Sequence, residues 1–307
     1  MSASSTIQFV PNRNSKASQE EIAAISPLLA QTSLSDEDIV RLLSVSTPGG
    51  LEKLRQTAYD LTTTEVGNKV FYRGIVELSN ICVLDCYYCG IRKSNHDVER
   101  YSLSREEVVE AALWCGEAGY GSCVLQSGER QDKRFIEFVE DCVREIKTRS
   151  ISQTLPQGLG ITLSLGEQSL ETYRRWHAAG ATRYLLRIET TNRELFRKIH
   201  PEKQSIETRL QALEDLKTAG FQVGTGVIIG LPGQTLQDLA ADIRFFAGRD
   251  IDMIGMGPYL ISQGGAMRAE GMMEKHQLMK LALKMIAVTR LVLRDVNIAA
   301  TTALQAL

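Results

Sequence analysis

The chain has 307 residues, of which 43% are hydrophobic and 23% are charged, and its formal net charge is −2. This balance is typical of a globular protein with a substantial core. The near-neutral charge argues against nucleic acid or a membrane surface as partner. No apolar run approaches the roughly 20 residues that span a bilayer, and the N-terminus lacks a secretory signal pattern, so we expect a cytoplasmic protein.

The N-terminal part of the chain is predicted to be helical. Residues 1–17 are polar, and we expect them to be loosely held. Residues 18–31, 35–44 and 49–66 each carry apolar residues at helical spacing. We therefore predict an N-terminal helical extension over residues 1–66.

From residue 67 onward, short apolar strands alternate with amphipathic helices. The predicted strands span residues 70–79, 121–128, 159–166, 182–189, 222–232, 252–261 and 297–304. The predicted helices between and after them span 104–119, 133–148, 169–180, 206–220, 235–248 and 275–295. This alternation predicts an α/β domain over residues 67–307, a TIM-type (β/α) barrel of parallel strands. Because the chain stops after the seventh strand, we expect the last strand and helix of the barrel to be missing.

Such a barrel carries its chemistry at the C-terminal ends of its strands. Polar and glycine residues follow most of the predicted strands, which favours a ligand site along this rim. These strand-end segments are 126–129, 164–167, 187–190, 230–233 and 301–302.

Six cysteines are present, and three of them lie close together after the first strand. Cys82, Cys86 and Cys89 have the spacing C-x3-C-x2-C. A structural zinc site would need a fourth ligand, for which His96 is available in a polar loop. A disulfide-exchange site would need a C-x-x-C pair in a thioredoxin-like fold, whereas these cysteines follow the first strand of a predicted barrel. An iron–sulfur cluster held by three cysteines instead leaves one iron open for a ligand, which suits catalysis.

The other three cysteines lie in separate apolar stretches. Cys115, Cys123 and Cys142 are interpreted as small buried hydrophobic residues.

The cysteine motif, with Tyr88 just before its last cysteine and a barrel around it, resembles the radical S-adenosylmethionine (SAM) superfamily. The resemblance implies a [4Fe-4S] cluster on Cys82, Cys86 and Cys89, with SAM bound to the fourth iron. Reductive cleavage of SAM would then give a 5′-deoxyadenosyl radical that acts on a substrate.

The same resemblance implies further contacts to SAM. Tyr88 would lie near the adenine, and the segment Ser127, Gly128 and Glu129 would receive the methionyl group. Ser164, Glu189 and Arg209 would contact the ribose, the ammonium and the carboxylate; a solvent-exposed helix face is the alternative for Arg209. The last set is the G-x-I-x-G element Gly226, Ile228 and Gly230, after which Gly233 stands where an acidic residue is often found.

Within the superfamily, the sequence blocks over about residues 70–304 resemble the [FeFe]-hydrogenase maturase family HydE, in the group that includes biotin synthase and methylornithine synthase. A lysine mutase of the methylornithine synthase type remains an alternative, as does a non-catalytic iron–sulfur scaffold. Biotin synthase, which carries a second cluster on its own barrel cysteines, is disfavoured because only one of the remaining cysteines, Cys123, falls within a predicted strand.

The maturase resemblance implies a small, anionic, cysteine-bound organometallic iron substrate, with other hydrogenase maturases and an electron donor as partners. Arg187, Thr301 and Thr302 are the candidate catalytic residues for this substrate. A charge inside a barrel is costly unless paired, so Arg187 is expected to have a partner. The chain departs from the family pattern after Tyr259, where the sequence reads LISQGGAM.

Overall fold

Seven parallel strands form one curled, half-barrel sheet in the computed structural model, which describes residues 14–267 and 271–306. The strand order β1-β2-β3-β4-β5-β7-β9 follows the chain, as expected for a barrel. The strands are β1 (Gly74–Ser79), β2 (Ser122–Ser127), β3 (Gly160–Ser164), β4 (Arg183–Leu185), β5 (Gln222–Thr225), β7 (Met253–Gly255) and β9 (Asn297–Ala299). Two further strands, β6 (Ile228–Ile229) and β8 (Gly257–Pro258), form a separate parallel pair.

Helices cover the outside of this sheet. They are α1 (Lys16–Leu29), α2 (Asp36–Leu43), α3 (Pro48–Glu65), α4 (Arg105–Glu117), α5 (Lys133–Arg149), α6 (Leu170–Ala179), α7 (Arg193–Ile199), α8 (Ile206–Thr218), α9 (Leu236–Gly248), α10 (Lys275–Val292) and α11 (Thr302–Gln305). Capping boxes at Ser35, Ser104 and Thr235 satisfy backbone N–H groups where α2, α4 and α9 begin.

The N-terminal helices pack on the last large helices of the barrel. Helix α2 lies against α9, and α3 lies against α10. Lys284 on α10 donates to the Val45 carbonyl at 3.0 Å, and Arg294 pairs with Glu65 at 2.6 Å. The helical extension thus continues the outer helical layer, and we propose a boundary near residue 66, between α3 and β1.

Two expectations concern the first residues. The expectation of a loosely held segment is wrong for residues 16 and 17, because α1 begins at Lys16 and is capped by the Ser15 side chain. Residues 1–13 lie outside the described residues. The rest of that expectation, and the expected lack of a secretory signal, concern this segment.

The predicted strands 222–232 and 252–261 are each broken in two. Strand β5 ends at Thr225 before β6 begins, and β7 ends at Gly255 before β8 begins. The break occurs where Gly226 lies against Gly255, since a Cβ on Gly226 would stand 1.8 Å from the Gly255 carbonyl oxygen. The spacing of apolar side chains in the sequence contains no information about such a backbone contact, so each segment was predicted as one continuous strand.

Two smaller differences concern helices. The short helix α7 was not predicted, and the predicted strand 297–304 ends early because α11 begins at Thr302.

A large apolar core is formed by buried residues of the sheet and of the helices that cover it. Tyr173, Trp176 and Tyr184 are fully buried, with Trp176 stacked on Tyr184 and Tyr173 meeting Tyr184 edge-to-face. The scattered cysteines Cys115, Cys123 and Cys142 are at most 4% exposed, which confirms their interpretation as buried residues.

The edges of the seven-stranded sheet are β1 and β9, which do not pair with each other in the described part of the chain. On β1, Ile75 is 59% exposed whereas the next residue, Val76, is buried. In the described residues, no helix has the length and apolar character needed to cross a bilayer.

Candidate active site

The cysteine loop, residues 80–104, leaves the C-terminal end of β1 and is fastened by one arginine. The Arg100 guanidinium donates to four backbone carbonyls of the loop, those of Asn80 (2.6 Å), Ile91 (2.8 Å), Arg92 (2.7 Å) and Asn95 (3.0 Å). A loop without regular structure leaves such carbonyls without ladder partners, and the fork geometry of a guanidinium can satisfy several of them at once. Arg100 therefore gives the loop a defined shape around its cysteines.

Asp85 ties the same loop together from inside. Its carboxylate accepts from the Ser94 hydroxyl at 2.7 Å, the Ser94 backbone N–H and the Arg92 guanidinium, and these donors hold the pKa of Asp85 below its ordinary value. Arg92 also donates to the Gly264 carbonyl at 2.9 Å. The loop is therefore anchored to the segment that follows β8.

The three clustered thiols are largely buried. Burial raises the pKa of each, and raises the pKa of Cys86 to about 12. A buried thiolate is stable only beside a positive partner such as a metal. Two backbone N–H groups, of Leu84 and Glu129, point at the Cys82 sulfur from 3.4 Å, and such donors suit a cluster-bound thiolate.

Within the described residues, no group of three or more His, Cys, Asp or Glu side chains is arranged to hold a single metal ion. A cluster offers a separate iron to each sulfur, so its ligands need not converge on one point. The buried sulfurs and their N–H donors fit a cluster.

Backbone packs closely against the cysteine loop at the end of β2. A Cβ on Gly128 would stand 2.5 Å from the Ile81 carbonyl oxygen and 2.7 Å from the Cys82 Cβ. Only glycine fits there without moving the loop. Ser127 Oγ donates to the Gly128 carbonyl at 2.6 Å.

Glu129 follows directly and is 6% exposed. Its carboxylate accepts from the Glu167 backbone N–H at 2.7 Å, yet burial raises its pKa to about 7. Ser164 is half-buried and lies opposite Gln126 in the register of β2 and β3.

Glu189 lies at the end of β4 in a left-handed backbone conformation, with φ of 66°. That conformation is uncommon for a residue other than glycine, and here backbone hydrogen bonds to Gly226 and Ile228 enforce it. Its Oε2 lies 3.1 Å from Arg187 Nη2 without being aligned for a hydrogen bond. The expected partner of Arg187 is therefore Glu189, and a buried carboxylate oxygen remains available to a ligand.

Tyr88 is held by residues from two other parts of the chain. Its hydroxyl lies 3.3 Å from Glu189 Oε1 and 3.5 Å from His200 Nε2. His200 is 1% exposed, stacks on Phe196 and has its Nδ1 2.9 Å from the Phe196 carbonyl oxygen. Burial lowers the pKa of His200 to about 4, so the ring is neutral and Nδ1 donates to that carbonyl.

No local sequence pattern marks His200 as a functional residue. Its partner Tyr88 is 112 positions away, and the helix α7 that presents it was not predicted.

Arg209 is buried on α8, at 5% exposure, which rules out a solvent-exposed helix face. Its Nε donates to Glu167 Oε1 at 2.5 Å, and its Nη1 donates to the Arg187 carbonyl. Burial opposes its charge, but Glu167 and the other carboxylates nearby raise the pKa of Arg209 overall. The rim thus gathers Glu129, Glu167 and Glu189 around one buried guanidinium.

The remaining candidates lie on or after later strands. Ile228 on β6 is buried, and Gly230 has φ of 82° and donates its N–H to Gln234 Oε1 at 2.7 Å. Thr301 is half-buried and donates to the Met256 carbonyl at 3.0 Å, whereas Thr302 is exposed at the start of α11. Both threonines follow β9, at the opposite edge of the sheet from the strand that leads into the cysteine loop.

The loop after Glu189 is fastened to α9 by a buried carboxyl group. Asp242 is fully buried, and its Oδ1 accepts from the Thr191 backbone N–H and hydroxyl at 2.8 and 2.7 Å. Its Oδ2 has no hydrogen-bond partner, and burial raises the pKa of Asp242 to about 7.

Because its folded pKa is above the ordinary value of 3.8, Asp242 stabilises the protein below about pH 4, and this contribution is lost as pH rises to 7. We expect Asp242→Asn to reduce the fall in unfolding free energy between pH 4.5 and 7.5 by about 3 kcal/mol. Urea unfolding at the two pH values measures this pH dependence of the unfolding free energy. Asp238→Asn is the control, because Asp238 is a carboxylate on the same helix whose pKa is lowered instead of raised. Equal pH slopes for wild type and Asp242→Asn would contradict the assignment.

Comparison with known proteins identifies the family. The family model described as "Radical SAM superfamily" matches residues 76–246, which include the cysteine loop and the rim from β1 to α9. The chain belongs to the radical SAM superfamily. It is an enzyme of that superfamily, so a purely scaffolding role is not supported.

This radical SAM enzyme is similar over most of its length to two proteins of stated function. It is 40% identical over 277 residues to the [FeFe] hydrogenase maturase subunit HydE of Thermotoga maritima, covering 90% of this chain and 75% of that protein. It is 29% identical to 3-methylornithine synthase of Methanosarcina barkeri, covering 84% of this chain and 70% of that protein.

A solved structure of a related protein has a similar fold. The crystal structure of methylornithine synthase (PylB) superimposes with a TM-score of 0.75 at 26% identity, covering 89% of this chain and 77% of that one. Membership of the radical SAM superfamily implies a [4Fe-4S] cluster and SAM as cofactors.

Proposed function

We propose that this radical SAM enzyme is an [FeFe]-hydrogenase maturase of the HydE type. The observation that carries the proposal is the 40% identity to a HydE protein over nine-tenths of the chain. The proposed substrate is a small, cysteine-bound iron with carbonyl and cyanide ligands, delivered by a partner maturase. An electron donor is the second proposed partner.

Bound together, the cluster and SAM supply a 5′-deoxyadenosyl radical for attack on the substrate. The chain's own part is to hold and shield them. Cys82, Cys86 and Cys89 bind three irons, Arg100 shapes the loop that carries these cysteines, and Gly128 lets the strand-end backbone approach it.

The charges of the rim support the proposed SAM contacts. The methionyl part of SAM carries an ammonium and a carboxylate, so it needs an acceptor and a cation side by side. Glu189 offers a buried, unbonded Oε2 for the ammonium, and Arg209 is a buried cation for the carboxylate. Because Arg209 is paired with Glu167, its proposed role requires either shared donors or an exchange of partners.

The other proposed contacts follow the family pattern. Tyr88, with its hydroxyl fixed by Glu189 and His200, contacts the adenine, which the G-x-I-x-G element flanks. That element is Gly226, Ile228 and Gly230. The methionyl group is assigned to Ser127, Gly128 and Glu129, and the ribose to Ser164.

Arg187, Thr301 and Thr302 are proposed to bind the anionic substrate. Arg187 donates to the Val227 carbonyl through Nη2 at 2.8 Å, while its Nε is buried with no hydrogen-bond partner. A buried donor without an acceptor is costly, and an anion would supply the acceptor.

The proposal is tested on the full chain reconstituted anaerobically with iron and sulfide. With dithionite and SAM, we expect 5′-deoxyadenosine and methionine, and faster formation of both when the cysteine-bound iron substrate is added. A maturation assay with the partner maturases and an apo-hydrogenase then reports hydrogenase activity. Absence of 5′-deoxyadenosine, or a rate indifferent to the iron substrate, would contradict the proposal.

A second candidate is a lysine mutase, favoured by the match to methylornithine synthase in both sequence and structure. The same reconstituted protein is incubated with L-lysine in place of the iron substrate. Formation of methylornithine would replace the maturase proposal with this one.

A further inference from the structure

Gln204 reaches the cluster-binding cysteines from a loop that neither the motif nor the proposed function involves. It lies between α7 and α8, immediately before Ser205, which caps α8. Its side-chain Oε1 is 3.4 Å from Cys86 Sγ, across 118 positions of sequence. Its Nε2 is buried and has no hydrogen-bond partner.

This arrangement suits a cysteine thiol, which can donate its hydrogen to the amide oxygen. A cysteine bound to iron is a thiolate, which has no hydrogen to donate. The Gln204 oxygen would then face a negatively charged sulfur, with the amide hydrogens left buried and unbonded.

Rotating the carboxamide by half a turn exchanges its oxygen and nitrogen without moving other atoms. The Nε2–H group then faces Cys86 Sγ, and a buried donor gains an acceptor. The carbonyl oxygen loses its contact, but buried acceptors are left unsatisfied more often than buried donors.

We propose that Gln204 donates a hydrogen bond from Nε2 to the Cys86 sulfur in the cluster-bound enzyme, and that this bond raises the reduction potential of the cluster. The inference rests on the proposed function, because it requires the cluster on Cys82, Cys86 and Cys89. Hydrogen bonds to cluster sulfurs stabilise the more negative, reduced state.

Cys82 receives its hydrogen bonds from backbone N–H groups, which only a proline substitution could remove, with a change of backbone conformation. At Cys86 the donor is a side chain, so the contribution can be measured. The Tyr88 hydroxyl also lies beside Cys86, and it is unchanged by substitution of Gln204.

The experiment is a potentiometric titration of the reconstituted full chain at pH 8, followed by electron paramagnetic resonance of the reduced cluster without SAM. Wild type is compared with Gln204→Met and Gln204→Glu. At the wild-type midpoint, we expect the ratio of reduced to oxidised cluster in Gln204→Met to be about tenfold lower, a shift of about 59 mV for one electron. Gln204→Glu should shift further, because it adds a negative charge beside the sulfur.

Gln211→Glu is the matched control, since Gln211 is an exposed glutamine on α8. Methionine fills a volume close to that of glutamine, so a purely space-filling role of Gln204 predicts a wild-type potential for Gln204→Met. Wild-type midpoints in both Gln204 variants would overturn the inference.

The proposed function is judged separately, on wild type alone. It requires a four-iron signal that changes when SAM is added, and if wild type shows none, both the function and the inference fail. If wild type shows that response while the Gln204 variants keep its midpoint, only the inference fails.

Discussion

Cys86→Ala should abolish cluster binding and reduce 5′-deoxyadenosine formation to the background of a reaction without enzyme. Cys86 is 9% exposed and lies between the other two cysteines of the motif in a loop fastened by Arg100 and Asp85. Two remaining cysteines leave a second iron without a protein ligand, and the buried site offers little water to replace it. Iron and sulfide per chain, together with the 5′-deoxyadenosine assay, measure the effect.

The control is the same substitution at Cys142, which is fully buried in α5 and outside the motif. Cys142→Ala should keep wild-type iron content, which separates loss of a ligand from loss of a buried thiol. Far-ultraviolet circular dichroism should show both variants folded. Wild-type iron content in Cys86→Ala would contradict the ligand assignment.

Gly226→Ala should lower the free energy of unfolding by about 3 kcal/mol or more. The added Cβ would stand 1.8 Å from the Gly255 carbonyl oxygen and 2.7 Å from the Gly255 carbonyl carbon. These are backbone atoms, so no side-chain rotation relieves the overlap and the strands leading into β6 and β8 must separate. The hydrogen bond from the Glu189 N–H to the Gly226 carbonyl (3.0 Å) is then strained as well.

Urea unfolding measures this loss, and Gly121→Ala is the matched control. A Cβ on Gly121 meets no atom within 4 Å, so the unfolding free energy of the Gly121→Ala variant should stay within about 0.5 kcal/mol of wild type. We also expect weaker binding of SAM to Gly226→Ala, since Glu189 is its neighbour across the strands. An unchanged unfolding midpoint for Gly226→Ala would refute the steric argument.

The sequence alone determined the order of the seven sheet strands and the position of the cluster-binding motif. Both depend on local signals. A strand appears in the sequence as a short apolar run between helices, and three cysteines within eight positions must lie close together whatever the rest of the fold is. The rule that barrel chemistry lies at the C-terminal strand ends also predicted the rim, on which Tyr88, Glu189 and Arg209 lie close together.

Only the tertiary structure decided which charges pair and where backbones meet. Arg209 pairs with Glu167 across 42 positions, and His200 and Gln204 approach Tyr88 and Cys86 from more than 100 positions away. Such contacts depend on how strands and helices are placed in space, which periodicity does not encode. The breaks after β5 and β7 have the same origin, because they occur where the backbones of Gly226 and Gly255 meet, two residues that are far apart in the sequence.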